Sequence, residues 1–173
     1  MNIHTLTQRV KILLLFFIAG LLLSGFTALP LEWELSVLSR LVSSPWSPLP
    51  VLWPDLVAWI ARVQAGLQDT YQRYPFIAYG TDWLAFAHIV IAIAFVGPLR
   101  DPVKNLWVIE FGMITCVLVV PTALIFGPIR GIPFFHQLID CSFGVFGLIP
   151  LWICHRTVLQ IRQLERMSGS SGR

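Results

Sequence analysis

Four long apolar stretches, separated by polar joints, organise this chain. They run over about residues 11–27, 81–99, 106–126 and 133–154. A helix needs about 20 residues to cross the hydrocarbon core of a bilayer. Lipid offers no partner to backbone N–H and C=O groups, and none of the stretches alternates polar and apolar residues as a barrel strand does. The pattern therefore predicts four spanning helices, the last opened by Pro133, whose fixed φ suits a first helical turn. Between the first two spans lies an insertion over about 30–80. Within it Leu56, Trp59, Ile60, Val63, Leu67, Tyr71 and Tyr74 recur at helical spacing, while Asp55, Arg62, Asp69, Gln72 and Arg73 fall largely elsewhere. This predicts an amphipathic helix over 55–74, lying on the outer leaflet or capping the bundle. A shorter helix is expected over 32–42. The stretch SSPWSPLPVLWP (43–54) has four prolines and two tryptophans, so it predicts an interfacial loop with no regular helix. The expected fold class is an all-α integral membrane protein: four transmembrane helices with an amphipathic outer-surface helical insertion between helices 1 and 2. It forms a single membrane domain over 1–173, ending in a flexible tail at about 168–173.

Composition sharpens this reading. Hydrophobic residues make up 56% of the chain and charged residues 12%, with a mean hydropathy of +0.74. So much apolar surface in 173 residues excludes a soluble single domain, since small domains have too much surface for their volume. It also excludes a disordered chain and a disulfide-stapled module. Lys and Arg set the orientation. With the N-terminus inside, the inner segments hold Arg9, Lys11, Arg100, Lys104, Arg156, Arg162, Arg166 and Arg173, and the outer ones Arg40, Arg62, Arg73 and Arg130. Both termini are therefore expected in the cytoplasm. The net charge of +3 reads as inner-surface anchoring, with no nucleic-acid partner, because no basic patch interleaved with aromatics exists. Trp83, Trp107 and Trp152 fall at span ends, where tryptophan prefers to sit. Arg9 and Lys11 before an apolar run resemble a signal peptide, but Phe26 is a poor fit to the small-x-small cleavage rule before Ala28, so the first span reads as an uncleaved anchor.

Ionisable residues inside spans are expensive and become functional candidates by default. Here they are Asp82, His88, Glu110, His136 and Asp140. Spans two and four run in the same direction, and His88 and Asp140 each lie seven residues in, about 10 Å below the outer boundary. His136 sits one turn above Asp140 on the same face, and Arg130 precedes the span. A polar cluster of His88, His136 and Asp140, with Asp82 and Arg130 nearby, is therefore expected near the outer leaflet. The plain alternative is a His–Asp bond joining spans two and four. Three nitrogen or oxygen ligands (His88, His136, Asp140) could bind zinc or iron with an open position for water, and His88 with His136 could ligate haem from opposed helices. Glu110 lies near the inner end of span three, close to Arg100 and Lys104, and reads as a structural ion pair or snorkelled carboxylate. A proton path through it would need a second buried acid or His, and none is evident at that depth. Gly112 and Cys116, and Gly144 with Gly147, are small residues that admit a neighbouring helix or a ligand. Pro121 and Pro150 are expected to kink their helices. Cys116, Cys141 and Cys154 form no C-x-x-C and read as inert packing residues.

Three resemblances bear on function. The spacing Arg130-x5-His136-x3-Asp140 resembles the last signature of type-2 phosphatidic acid phosphatases. That resemblance implies His136 as nucleophile on phosphorus, Asp140 as its orienting partner and Arg130 as the phosphate holder. Ile129 stands where that family has serine, and the signatures K-x6-R-P and P-S-G-H are absent. Four spans, cytoplasmic termini and a long first outer loop resemble the sterol-isomerase/sigma-2-receptor fold, which implies a pocket for a sterol. The segments YGTDWLAFAH, GPLRDPVKNLWVIEFGM and GPIRGIPFFHQLIDCSFG resemble an uncharacterised family of bacterial four-span inner-membrane proteins, which implies localisation and topology only. Two functions follow as expectations. The first is a plasma-membrane protein of the bacterial inner membrane that binds a lipid, a lipophilic ligand or a partner's helices, including those of a second copy. The second is an enzyme acting on a lipid head group, metal-dependent or phosphatase-like, through His136, Asp140, His88 and Arg130.

Overall fold

A computed structural model describes residues 2–170. Among these residues there are helices and connecting turns but no strand. The helices are α1 (Ile3–Ala28), α2 (Leu31–Val42), α3 (Leu49–Leu52), α4 (Pro54–Arg73), α5 (Tyr79–Ala94), α6 (Val96–Arg100), α7 (Leu106–Ile129) and α8 (Phe134–Ser170), with a 3₁₀ turn at Pro75–Ala78 before α5. Four segments are long and apolar enough to cross a membrane: Ile3–Ala28, Pro75–Arg100, Leu106–Ile129 and Phe134–Ser168. The chain is an all-α membrane protein.

The boundaries depart from the sequence pattern for identifiable reasons. The helix of the first span begins at Ile3, eight residues earlier than hydropathy alone suggests, because Leu6, Val10 and Leu14 continue one buried stripe at i, i+4 spacing. The second span is interrupted at Phe95, between α5 and α6. Pro98 has no N–H to offer the carbonyl of Ala94, while Phe95 and Leu99 keep their bonds to Ile91 and Phe95. The fourth helix does not stop at Cys154 but runs to Ser170, since Leu151, Cys154, Val158 and Ile161 extend a buried seam at alternating three- and four-residue steps. The loop over 43–54 contains the one-turn helix α3, contrary to the expectation of no helix. Pro48 and Pro50 fall at its start, where a missing N–H costs nothing. Residues 171–173 of the expected tail lie outside the described residues.

The chain divides into two compact units, one holding α1 up to Gly20 together with the chain from Ile91 onward, the other Leu21–Val90. In the first unit the organising element is the α7–α8 hairpin. Its turn is a Schellman closure: Gly131 takes φ +68°, Ile132 N–H donates to the Gly127 carbonyl at 2.9 Å, and Gly131 N–H donates to the Pro128 carbonyl at 3.1 Å. The two arms then approach through small residues. A Cβ on Gly144 would collide with the Cys116 carbonyl oxygen, and one on Gly112 would meet Phe95 at 2.6 Å and Leu151 at 2.8 Å. Lipid tails are as apolar as leucine, so close backbone approach rather than hydrophobic expulsion holds such helices together. From α1, Phe17 stacks obliquely on Phe95 with ring centroids 4.8 Å apart. Cys154 Sγ lies 3.7 Å from the Val10 carbonyl.

The second unit is built on different terms. Here α4 packs against α2, α3 and the 3₁₀ turn, burying Ile60 while Val42 is buried on α2. The Tyr71 hydroxyl reaches Thr81 Oγ1 at 3.3 Å, and Thr81 in turn donates to the Ala78 carbonyl at 2.7 Å, which ties the end of α4 to the entry of α5. The ends of α1 and α5 within this unit touch at Gly25, where a Cβ would come within 3.1 Å of the Ala85 oxygen and of His88 Cβ.

Candidate functional site

The hairpin turn places three of the expected site residues together at one end of the first unit. Arg130 is the C-cap of α7 and is exposed. Pro133 accepts the backbone N–H bonds of His136 at 3.0 Å and Gln137 at 3.2 Å, which starts α8. Gln137, only 4% exposed, donates its side-chain amide to the Ile132 carbonyl at 2.8 Å. It fills the space over Gly127, where a Cβ would come within 2.5 Å of its Cδ. This buried amide fixes how α8 leaves the turn, and with it the direction of the neighbouring His136. Hydropathy gives no hint of it. The signal that marks it is a lone glutamine four residues after a helix-opening proline, opposite a glycine in the other arm.

His136 Nε2 lies 3.8 Å from Asp140 Oδ1, with side chains 39% and 44% exposed. This is an electrostatic contact one turn apart, too long for a hydrogen bond. Asp140 stands about 9 Å along α8 from Phe134 at about 1.5 Å per residue. The pair is therefore inside an apolar helix but at its outer surface, able to meet a polar group arriving from outside the hairpin.

His88 and Asp82 belong to the other unit. His88 Nδ1 lies 2.8 Å from the Leu84 carbonyl. A carbonyl only accepts, so Nδ1 carries the proton and donates, which satisfies that nitrogen within α5. Asp82 is exposed in the first turn of α5, a position the helix dipole favours for an acid. Among the described residues no group of three or more His, Cys, Asp or Glu side chains could hold a metal ion. The three cysteines are free thiols.

Glu110 has a partner that the sequence pattern does not reveal. His155 Nε2 donates to Glu110 Oε1 across the hairpin at 3.1 Å. Ending the fourth span at Cys154 hides this histidine. Hairpin register exposes it: Gly127 with Gln137, Gly112 with Leu151, Gly144 with Cys116 and Glu110 with His155 all have midpoints between residues 130 and 133. The same register brings the Arg162 guanidinium to the Val103 carbonyl. Counting equal arms from the turn is enough to find each pair.

No family model, curated protein or solved structure matches this chain.

Proposed function

We propose that this membrane protein binds a membrane lipid or another lipophilic ligand at the turn end of the α7–α8 hairpin, through His136, Asp140 and Arg130. The observation that carries this reading is the half-exposed His136–Asp140 pair within a spanning helix. Ionisable groups within a span are costly and mark functional positions by default. Here they face outward, where a lipid head group or a polar ligand reaches them. Arg130 adds a planar guanidinium suited to phosphate or carboxylate. The distribution of Lys and Arg supports cytoplasmic termini, and so an outer-leaflet position for this end. The resemblance to bacterial four-span proteins supports the inner membrane. The test is lipid and metabolite mass spectrometry of the protein purified in mild detergent. A species retained by wild type and lost from both His136→Ala and Asp140→Asn supports the reading, and an unchanged profile overturns it.

A second reading is hydrolysis of a lipid phosphomonoester. It is supported by the Arg-x5-His-x3-Asp spacing together with the close approach of Asp140 to His136. Arg130 would hold the phosphate and Asp140 would orient the imidazole, while His136 would attack phosphorus to form a phosphohistidine as the P–O bond to the lipid breaks. The lipid alcohol would leave with a proton from water, and a second water would hydrolyse the phosphohistidine to free phosphate. Phosphate release from phosphatidic acid vesicles, abolished by His136→Ala, supports it. Absence of release by wild type leaves the binding reading alone.

A further inference from the structure

A groove of about 720 Å³ runs between α7 and α8 well away from the turn, lined by Met113, Ile114, Val117, Ile149, Trp152 and their neighbours. Its volume falls within the roughly 300–1,000 Å³ of small-molecule sites. Its walls are almost wholly apolar, which suits an acyl chain. The rim has a different character. Arg156 continues the Ile149–Trp152 face of α8 by one further turn, and its guanidinium carbon stands 5.3 Å from the Trp152 ring centroid. The electron-rich ring face holds the cation at this distance, and Arg156 remains exposed. Glu110, Lys104 and Arg162 at this end of the hairpin are engaged within the protein, and Glu165 and Arg166 lie more than two turns further along α8. Glu110 accepts from His155, Lys104 pairs with Asp101 at 3.3 Å, and Arg162 donates to the Val103 carbonyl. The rim therefore presents the Arg156 cation outward, anchored on an interfacial tryptophan, directly above an apolar slot.

We infer that this groove is an anionic phospholipid site, with one acyl chain along Val117 and Ile149 and the phosphate on Arg156. The site lies at the opposite end of the hairpin from His136 and does not depend on the function proposed there. Full-length protein in mild detergent is titrated with dioleoylphosphatidylglycerol or dioleoylphosphatidylcholine and read by native mass spectrometry. Wild type is expected to retain phosphatidylglycerol with a preference of about fivefold over phosphatidylcholine, the size of effect that one arginine has at an anionic surface. Arg156→Gln removes the preference, and Ile149→Trp, which fills the slot, reduces retention of both lipids. The titration is repeated in the His136→Ala background, where lipid at the turn end no longer contributes, and Arg156→Gln is expected to remove the preference there as well. Equal retention of the two lipids by wild type overturns the inference, as does a preference that survives in Arg156→Gln. A dimer that Ile149→Trp dissociates also overturns it, by assigning the groove to a second copy. Arg156→Gln alters only an exposed side chain, so the answer stands even if Ile149→Trp disturbs the fold.

Discussion

The α7–α8 hairpin and the Leu21–Val90 unit solve opposite problems. In the hairpin, glycine and cysteine let two backbones meet, as at Gly144 against the Cys116 carbonyl, while large side chains such as Leu118, Ile125 and Phe146 point outward. In the other unit the amphipathic helix α4 turns Ile60 inward and keeps the exposed ion pair Asp69–Arg73 at 2.9 Å outside. Its connecting stretch nonetheless leaves Trp46 at 94% and Val51 at 85% exposure, an apolar rim of the kind that sits at a membrane interface. The lesson is that burial means different things in the two places. Large apolar side chains cover much of the hairpin's surface, whereas in the insertion Val42 and Ile60 are turned into its core. A small side chain is a structural requirement in the hairpin and no requirement at Gly66 of α4.

Adding one methyl group tests that contrast most severely. Gly144→Ala drives a Cβ into a backbone oxygen, which cannot rotate away, and is expected to cost about 1–3 kcal/mol as overpacking does. The matched change in the insertion is Gly66→Ala. Gly66 lies inside α4 with nothing within 4 Å of an added Cβ, so alanine is expected to stabilise by about 0.4–1 kcal/mol through helix propensity and unfolded-chain entropy. Unfolding of the two variants in mixed micelles, followed by circular dichroism, checks both signs. A destabilised Gly66→Ala, or a neutral Gly144→Ala, breaks the comparison.

Equal to that at most, and smaller where water enters, is the effect at the turn. Gln137→Leu keeps the volume over Gly127 but leaves the Ile132 carbonyl without its amide donor. The expected cost is about 1–3 kcal/mol if that oxygen stays dry, and less if water reaches it. Because Gln137 sets the exit of α8 from the turn, the same variant is expected to weaken ligand retention at His136. Comparing its retained-lipid profile with that of His136→Ala checks this.

Smaller than these are two side-chain pairs, Glu110–His155 and Asp69–Arg73. Interhelical polar contacts in membranes contribute about 0.6–1.7 kcal/mol, so Glu110→Gln is expected to cost up to about that much. Arg73→Gln removes a pair 68% and 60% exposed and is expected to cost about 0.5 kcal/mol or less. Both are read in the same unfolding assay. Equal costs erase the distinction between a cross-hairpin contact and a solvated one.

Much of this architecture is legible in the order of residues alone. Four spans, the insertion and the amphipathic face of α4 follow from periodicity, because each depends only on residues near one another in sequence. The contact between His136 and Asp140 is legible for the same reason, being one helical turn. The pairing of Glu110 with His155 is not, because hydropathy closes the span at Cys154 and does not register that a polar helix continues beyond the membrane. Gln137 gives no sequence signal on its own, because its role depends on Gly127 in the other arm. The α3 turn is hidden because prolines, which break helix interiors, are harmless at a helix start.

The smallest expected effect lies in the joint between α6 and α7. Asp101 accepts the Lys104 backbone N–H at 3.0 Å and pairs with its ammonium at 3.3 Å. The backbone bond from Lys104, reinforced by the Lys104 side chain, lowers the carboxyl below its ordinary value of 3.8. A carboxyl that ionises more readily when folded stabilises the fold above its unfolded-state value, and that contribution disappears as pH falls through the folded-state value. The joint is open to solvent, so the effect at neutral pH is slight. Asp101→Asn keeps an acceptor for the Lys104 N–H but has no charge to titrate. It is expected to match wild type closely near pH 7 and to lack the part of the acid destabilisation that protonation of Asp101 causes below about pH 4. Unfolding midpoints of the two proteins between about pH 3 and pH 7 test this. A wild-type curve that parallels the variant throughout shows that the carboxyl ionises alike in the folded and unfolded chains, so that its charge adds nothing to the joint, in contrast to the distant pairings that hold the hairpin.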